Sequence, residues 1–193
     1  MNLRSALFHG YWGLRRVIAP GVKYSQATYE EFLTRYVNRD TRWIDIGCGH
    51  SLLPSWRTNE EKEDVEPWKV LVGIDYDLPS LKAHPTIRWR VRGDVTKLPF
   101  TAASFDLVTT NMVVEHLDRP EDQFAEIRRI LKPDGLFLFH TPNALGYGVL
   151  IGRFVPEWLK GKLIYVLQGR AEHDVFKTHY RANTEKQVVA LAG

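Results

Sequence analysis

Cysteine is almost absent from this chain: Cys48 is the only one among 193 residues. No intramolecular disulfide can form, and a zinc site built from cysteines is excluded. No run approaches the roughly 18–20 apolar residues that a membrane-spanning helix needs. The first twenty residues are interrupted by Arg4, His9, Arg15 and Arg16, so they lack the continuous apolar core of a secretory signal. A reduced, cytoplasmic setting is the expectation. Charge of one sign is also scarce, since 26 Lys and Arg stand against 23 Asp and Glu. The resulting +3 permits an anionic partner without requiring one. Internal repeats and low-complexity tracts are missing, and the length suits a single domain with a sizeable core.

What is present is an alternation of strands and helices. Arg42-Trp43-Ile44-Asp45-Ile46 reads as a strand running into Gly47-Cys48-Gly49-His50. Residues 69–75 are almost wholly apolar, as a parallel strand buried on both faces should be. Residues 87–91 alternate apolar and charged, which suits a strand near the sheet edge. Residues 105–110 and 136–140 supply two more strands. Between these two, Phe124, Ile127, Ile130 and Leu131 recur at helical spacing, with Asp118 as the expected cap and Pro120 in the first turn. Lys132-Pro133-Asp134-Gly135 is expected to end that helix and turn into the next strand. Pro54 opens a predicted short helix, followed by an acidic loop over residues 58–64. A final helix is predicted over residues 184–191, capped by Asn183 or Thr184.

Strand–helix–strand units of this kind give right-handed parallel crossovers. The predicted fold is therefore α/β, a Rossmann-like doubly wound, mainly parallel sheet. One domain spans residues 1–193, with an N-terminal helical segment over 1–40. Residues 143–180 are apolar, aromatic and too long for an ordinary connection, so they are read as a lid insertion.

Doubly wound sheets bind ligands beyond the carboxyl ends of their strands. Gly47 and Gly49 allow a tight turn and close approach of a ligand. Asp75, after the second strand and followed by Tyr76, is placed to accept hydrogen bonds from both hydroxyls of a ribose. Asp94 can accept an exocyclic amine of adenine while the N–H of Val95 meets a ring nitrogen. Asp45, inside a strand end, is expected to support the loop by hydrogen bonding. Cys48 is expected to be a small buried loop residue and not a nucleophile.

These segments together resemble the class I S-adenosylmethionine (SAM)-dependent methyltransferases. Residues 43–50 are similar to the first motif of the subgroup with an Asp-x-Gly-Cys-Gly loop, and Asp75 to the acidic second motif. Gly93-Asp94-Val95 with Leu98-Pro99-Phe100 resembles the adenine-contacting segment. Phe105-Asp106-Leu107-Val108 with Glu115-His116-Leu117 resembles the fourth motif, and residues 126–135 the approach to the fifth strand. The match covers roughly residues 25–142. It implies SAM as cofactor, held by Gly47, Cys48, Gly49, Asp75, Tyr76, Asp94, Val95, Asn111 and Met112, with Asn111 along the methionine portion. His116, beside Glu115, is the candidate general base. Tyr24, His140, His179 and Tyr180 are candidates for the substrate side.

The sequence departs from the family in two places. Ser51 stands where many members carry a third glycine, and the antiparallel strand pair that usually completes the sheet is expected to be lacking. That absence leaves residues 136–139 as an apolar edge, with a homodimer as one way to cover it.

The expected reaction is transfer of a methyl group from SAM to a small-molecule oxygen, nitrogen or carbon. The aromatic segment suggests an apolar or amphipathic acceptor, or peripheral membrane contact. Nucleic acid is disfavoured, because the fourth strand ends in Asn111-Met112-Val113-Val114 and not in Asn/Asp-Pro-Pro-aromatic. A non-catalytic SAM-binding or interaction module of the same fold is the alternative. An NAD-dependent oxidoreductase fits less well, since Leu52 occupies the third glycine position of the dinucleotide fingerprint.

Overall fold

The computed structural model describes residues 25–52, 69–146 and 177–192. Tyr24, the predicted helix and acidic loop between residues 53 and 68, and residues 147–176 of the expected lid lie outside the described residues.

Helix α1 (Ser25–Tyr36) buries Gln26, Tyr29, Glu30 and Leu33, the i, i+3, i+4, i+7 stripe of an amphipathic helix. Then come β1 (Arg42–Ile46) and β2 (Val70–Asp75), short α2 (Leu78–Ala83) and β3 (Trp89–Arg92). β4 (Phe105–Asn111) leads through a single 3-10 turn (Val114–His116) into α3 (Pro120–Ile130). β5 (Leu131–His140) and α4 (Glu185–Ala192) complete the described elements.

The five strands form one sheet in the order β3-β2-β1-β4-β5, and every pairing is parallel. Sequence order reverses between β1 and β4, which fixes the switch point where such sheets bind ligands. Both faces of β1 are covered: Ile44 and Ile46 join Val108, Ile127 and Ile130 on the α3 side. Trp43 joins Tyr29, Leu33 and Leu107 on the α1 side. Burial on both faces likewise explains why β2 reads as an almost wholly apolar run. β3 is an edge strand, as its alternation predicts, and only Val91 is partly shielded within it.

Local chemistry fixes the helices. Asp77 caps α2 by accepting the Ser80 N–H at 3.0 Å. The Arg90 guanidinium donates to the carbonyls of Leu81, Lys82 and His84 at the helix end, where a cation suits the negative pole. Thr184 caps α4 by accepting the Gln187 N–H, while the Gln187 side chain accepts the Asn183 N–H at 3.1 Å. The arrangement resembles a capping box, except that the returning side chain takes the N–H of the residue before the cap.

Two local expectations are corrected. Asp118 does not cap α3: the cap position is Arg119, with no side-chain hydrogen bond. Asp118 turns instead to Arg181, whose Nη1 lies 3.2 Å from its carboxylate and donates to its carbonyl at 2.6 Å. The fifth strand also starts earlier than residue 136. Leu131 already pairs with Phe105, and Leu136 pairs with Leu107, so residues 132–135 are accommodated as an irregularity in the ladder. Asp134 takes a left-handed φ of 63° there. Lys132 ties the segment to Asp106 at 2.7 Å.

Candidate functional site

The carboxyl ends of β1, β2 and β4 lie side by side, and the loop after β1 is built around two left-handed glycines. Gly47 has φ 68° and Gly49 has φ 55°. A Cβ on Gly47 would stand 2.5 Å from Cγ2 of Val113, so that glycine serves both the turn and a close approach to the loop after β4. Among the described residues, a Cβ on Gly49 would meet nothing within 4 Å, so none of them closes the loop there.

Asp75 holds the loop in place. Its Oδ2 accepts the Gly49 N–H at 2.8 Å, and its Oδ1 accepts the Asp77 N–H at 2.9 Å. The residue is buried, yet each oxygen takes only one hydrogen bond among the described residues. A carboxylate has roughly four lone-pair sites, so two acceptor positions remain for ligand hydroxyls. The Gly47 N–H and Cys48 N–H both point to the Ile74 carbonyl, at 2.7 and 3.3 Å. The Cys48 side chain faces inward, where a Cβ on Gly73 would sit 2.7 Å from its sulfur. Burial, with the charges of Asp45 and Asp75 adding, pushes its thiol pKa up. Cys48 thus shapes the loop from within.

Beneath the loop is a buried polar chain. Trp43 Nε1 donates to Thr109 Oγ1 at 2.7 Å, and Thr109 Oγ1 donates to Asp45 Oδ1 at 2.6 Å. Burial pushes the Asp45 carboxyl up to about 7, against the pull of the Thr109 hydrogen bond and with the Asp75 charge adding. Sequence reading assigned Asp45 a supporting role but missed its partners. Trp43 and Asp45 share a strand face by period-two alternation, which was the available signal.

Past β3, Asp94 is exposed, and its Oδ1 accepts the backbone and hydroxyl of Thr96, both at 2.8 Å. Those bonds hold the carboxyl below the usual range. Val95 packs against the core beneath. Tyr76 is exposed, and its carbonyl accepts Arg92 Nε at 3.1 Å. At the end of β4, Asn111 Oδ1 lies 3.0 Å from His140 Nδ1. His140 Nε2 lies 3.0 Å from Ser25 Oγ on α1. Met112 adopts φ 59°, unusual for a residue with a side chain, and its N–H bonds the His140 carbonyl at 2.8 Å.

Glu115 and His116 are used by the chain itself. The Glu115 side chain is buried, and its Oε2 accepts the Thr141 hydroxyl at 2.8 Å. The Glu115 carbonyl accepts the N–H groups of His179 at 2.7 Å and Tyr180 at 3.2 Å. His116 Nδ1 lies 3.0 Å from the Lys177 carbonyl, which can only accept. Asn183 Nδ2 donates to Thr141 Oγ1 at 2.6 Å and to the Pro142 carbonyl at 3.0 Å. The His179 ring lies 3.4 Å from Asp118. These contacts fasten residues 177–183 onto the ends of β4 and β5. The structure thus brings Glu115, His116, His179 and Tyr180 together as a fastening, and separately brings Asn111 to His140.

A cleft of about 360 Å³ lined by Tyr36, Asn38, Thr41 and Asp106 lies at the opposite, amino ends of β1 and β4. None of Gly47, Gly49, Asp75, Asp94 or Asn111 lines it.

Residues 44–139 match a family model described as a methyltransferase domain. The chain is similar to an uncharacterized methyltransferase of Schizosaccharomyces pombe, 30% identical over 120 residues, covering 56% of this chain and 42% of that protein. A malonyl-[acyl-carrier protein] O-methyltransferase of Halalkalibacterium halodurans is 31% identical over 108 residues, covering 51% of this chain and 38% of the relative. The chain spans about half the length of the curated relatives it matches. In fold it resembles a SAM-dependent methyltransferase structure from Methanosarcina mazei, with a TM-score of 0.57 at 18% identity over 83% of this chain and 81% of the other. The five-stranded parallel sheet, the switch point at the glycine loop and these matches place the chain in the class I SAM-dependent methyltransferase family.

Proposed function

We propose that the chain transfers a methyl group from SAM to a small-molecule acceptor of apolar or amphipathic character. The observation that carries this reading is Asp75, buried at the end of β2 with an acceptor position left on each oxygen, beside a loop that no described residue closes at Gly49. A ribose diol requires two such acceptors. Asp94 and the Val95 N–H offer an adenine edge its partners, and Asn111 lies along the methionine end. When bound, SAM supplies a methyl group already activated by a sulfonium.

The chain's own task is positioning. The glycine loop and Asp75 fix the nucleoside, and the fastened segment after residue 177 borders the same end of the sheet. Holding nucleophile and methyl group in line can be worth roughly 7–11 kcal/mol in favourable cases. No general base is needed unless the acceptor must lose its proton early. The structural engagement of Glu115 and His116 is therefore compatible with turnover. The relative that acts on malonyl-[acyl-carrier protein] supports an acceptor with a short acyl group as one class to screen.

Calorimetric titration of the purified chain with SAM, with NAD as control, tests the reading. Binding of SAM alone is expected. A folded chain that binds NAD, or neither compound, overturns it.

A further inference from the structure

We propose that the outer edge formed by β3 and α2 docks on an anionic phospholipid surface. Trp89 enters the headgroup layer, and the surrounding Lys and Arg side chains meet the phosphates. The proposal stands on charge and exposure and does not depend on the SAM reading.

Charge is unevenly spread along the chain. Residues 82–97 hold five Lys and Arg and a single acid, Asp94, although the whole chain nets only +3. Lys82, Arg88, Arg90 and Arg92 are all exposed. None of the four joins an ion pair among the described residues. Asp94 is engaged with Thr96, whose N–H and hydroxyl its Oδ1 accepts. Two of the arginines are oriented by backbone carbonyls. Arg90 donates to the end of α2, and Arg92 Nε donates to the Tyr76 carbonyl at 3.1 Å. Those bonds hold the guanidinium groups without neutralising them.

The sheet gathers these cations along one edge. β3 is the last strand on its side, and α2 packs against β2 and β3. Leu78 and Lys82 lie four residues apart on α2, hence on one helical face, and both are exposed. Trp89 and Val91 share a strand face by alternation. Val91 packs against the core, but Trp89 stands 69% exposed.

Two simpler uses of this edge explain less. Charges on an edge strand guard it against pairing with another sheet. That accounts for the arginines and leaves an exposed indole between two of them unexplained. A stable protein interface buries about 800 Å² per partner around an apolar centre. On α2 and β3, only Leu78 and Trp89 are exposed large hydrophobics. A membrane surface asks for less: an aromatic ring at interfacial depth and several cations over anionic headgroups. Arg92 stands opposite Asp75 in the sheet, so the basic strip runs up to the candidate site. Joined to the SAM reading, this geometry has an amphipathic acceptor arrive from the bilayer.

The test is co-sedimentation of the purified chain with vesicles of phosphatidylcholine alone, or of equal parts phosphatidylcholine and phosphatidylserine. Binding is expected to the mixed vesicles only, and it should weaken as salt is raised. Lys82→Gln and Arg88→Gln should each lower the affinity about fivefold. Trp89→Ser should lower it about tenfold or more, with thermal melts unchanged in all three variants. Tryptophan emission should shift to the blue when wild type meets the mixed vesicles. Trp89→Phe should lose most of that shift and still sediment. Equal binding to both vesicles, no binding to either, or unchanged affinity in the three variants overturns the proposal. Retention on immobilised polyglutamate without vesicle binding assigns the edge to an acidic protein surface and overturns it equally.

Discussion

The carboxylate of Asp75, at the end of β2, accepts the N–H of Gly49 in the loop after β1, at 2.8 Å. One side chain therefore shapes the glycine loop and presents acceptors beside it. Asp75→Ala should weaken SAM binding roughly 10- to 100-fold, the range expected when hydrogen bonds to a charged group are lost. Amide exchange at Gly49 should accelerate in the same variant even without ligand. Unchanged affinity by calorimetry would remove Asp75 from the site.

The two loop glycines should fail differently. Gly47→Ala combines a left-handed φ with a methyl driven into Val113. A cost of about 2–4 kcal/mol is expected, from roughly 1–2 for the backbone and the remainder for overpacking. Val113→Ala should recover the steric part only. Gly49→Ala carries the backbone cost alone, about 1–2 kcal/mol, but places a methyl where no described residue closes the loop. Its loss of SAM affinity should exceed its loss of stability. Thermal melts and titrations of both variants check the contrast.

Asp45 gives the fold a pH dependence. Its folded pKa of about 7 stands above the ordinary carboxyl value of 3.8. The folded state thus holds this proton more tightly than the unfolded chain does. The stabilisation is complete below pH ~4 and is lost as pH rises through about 7. Asp45→Asn keeps an acceptor for Thr109 and removes the titration. Relative to wild type, the variant should gain stability between pH 5 and pH 8, by about 3 kcal/mol at most. A difference that stays flat over that range contradicts the assignment.

His84 acts in the opposite sense. Its Nδ1 accepts the N–H groups of Thr86 and Ile87, at 3.3 and 3.1 Å, which requires that nitrogen to be bare. Burial, then the charges of Arg90 and His50, lower its pKa to about 4 from 6.5. The stability it confers is present above pH 6.5 and is lost as pH falls toward 4. A proton NMR titration should find the His84 ring neutral at pH 5.5, and a midpoint near 6.5 would refute this.

The centre of the sheet was legible because β1, β2 and β4 are largely buried. Residues 42–46, 69–75 and 105–110 could be read from apolar-rich segments followed by Gly, Asp or Asn. The ends of β1 and β2 then placed Gly47, Gly49 and Asp75 on adjacent strands, where the structure has them. What local pattern could not show are partners far apart in the chain. Asp118 looks like a helix cap in sequence, yet its partner is Arg181. His140 bonds Ser25, 115 residues away. Pro133 and Gly135 read as a turn, but Leu131 already pairs with Phe105, because the ladder absorbs the intervening residues as an irregularity.

Glu115 illustrates how the same limit bears on catalysis. Beside His116 it looked like half of an acid–base pair. Its carboxylate is buried under the Thr141 hydroxyl, and its carbonyl holds residues 179 and 180. A group so occupied supports the surrounding chain, and its other oxygen lies 3.9 Å from His116 Nε2. Glu115→Gln should therefore cost stability, about 1–3 kcal/mol from the disturbed buried bond, and residues 177–183 should become easier to cleave by protease. Once methyl transfer to an identified acceptor is measured, turnover per folded molecule should fall less than tenfold. A loss of 100-fold or more in a variant that stays folded, together with a vanished basic limb in the pH profile, would return Glu115 and His116 to the role of general base.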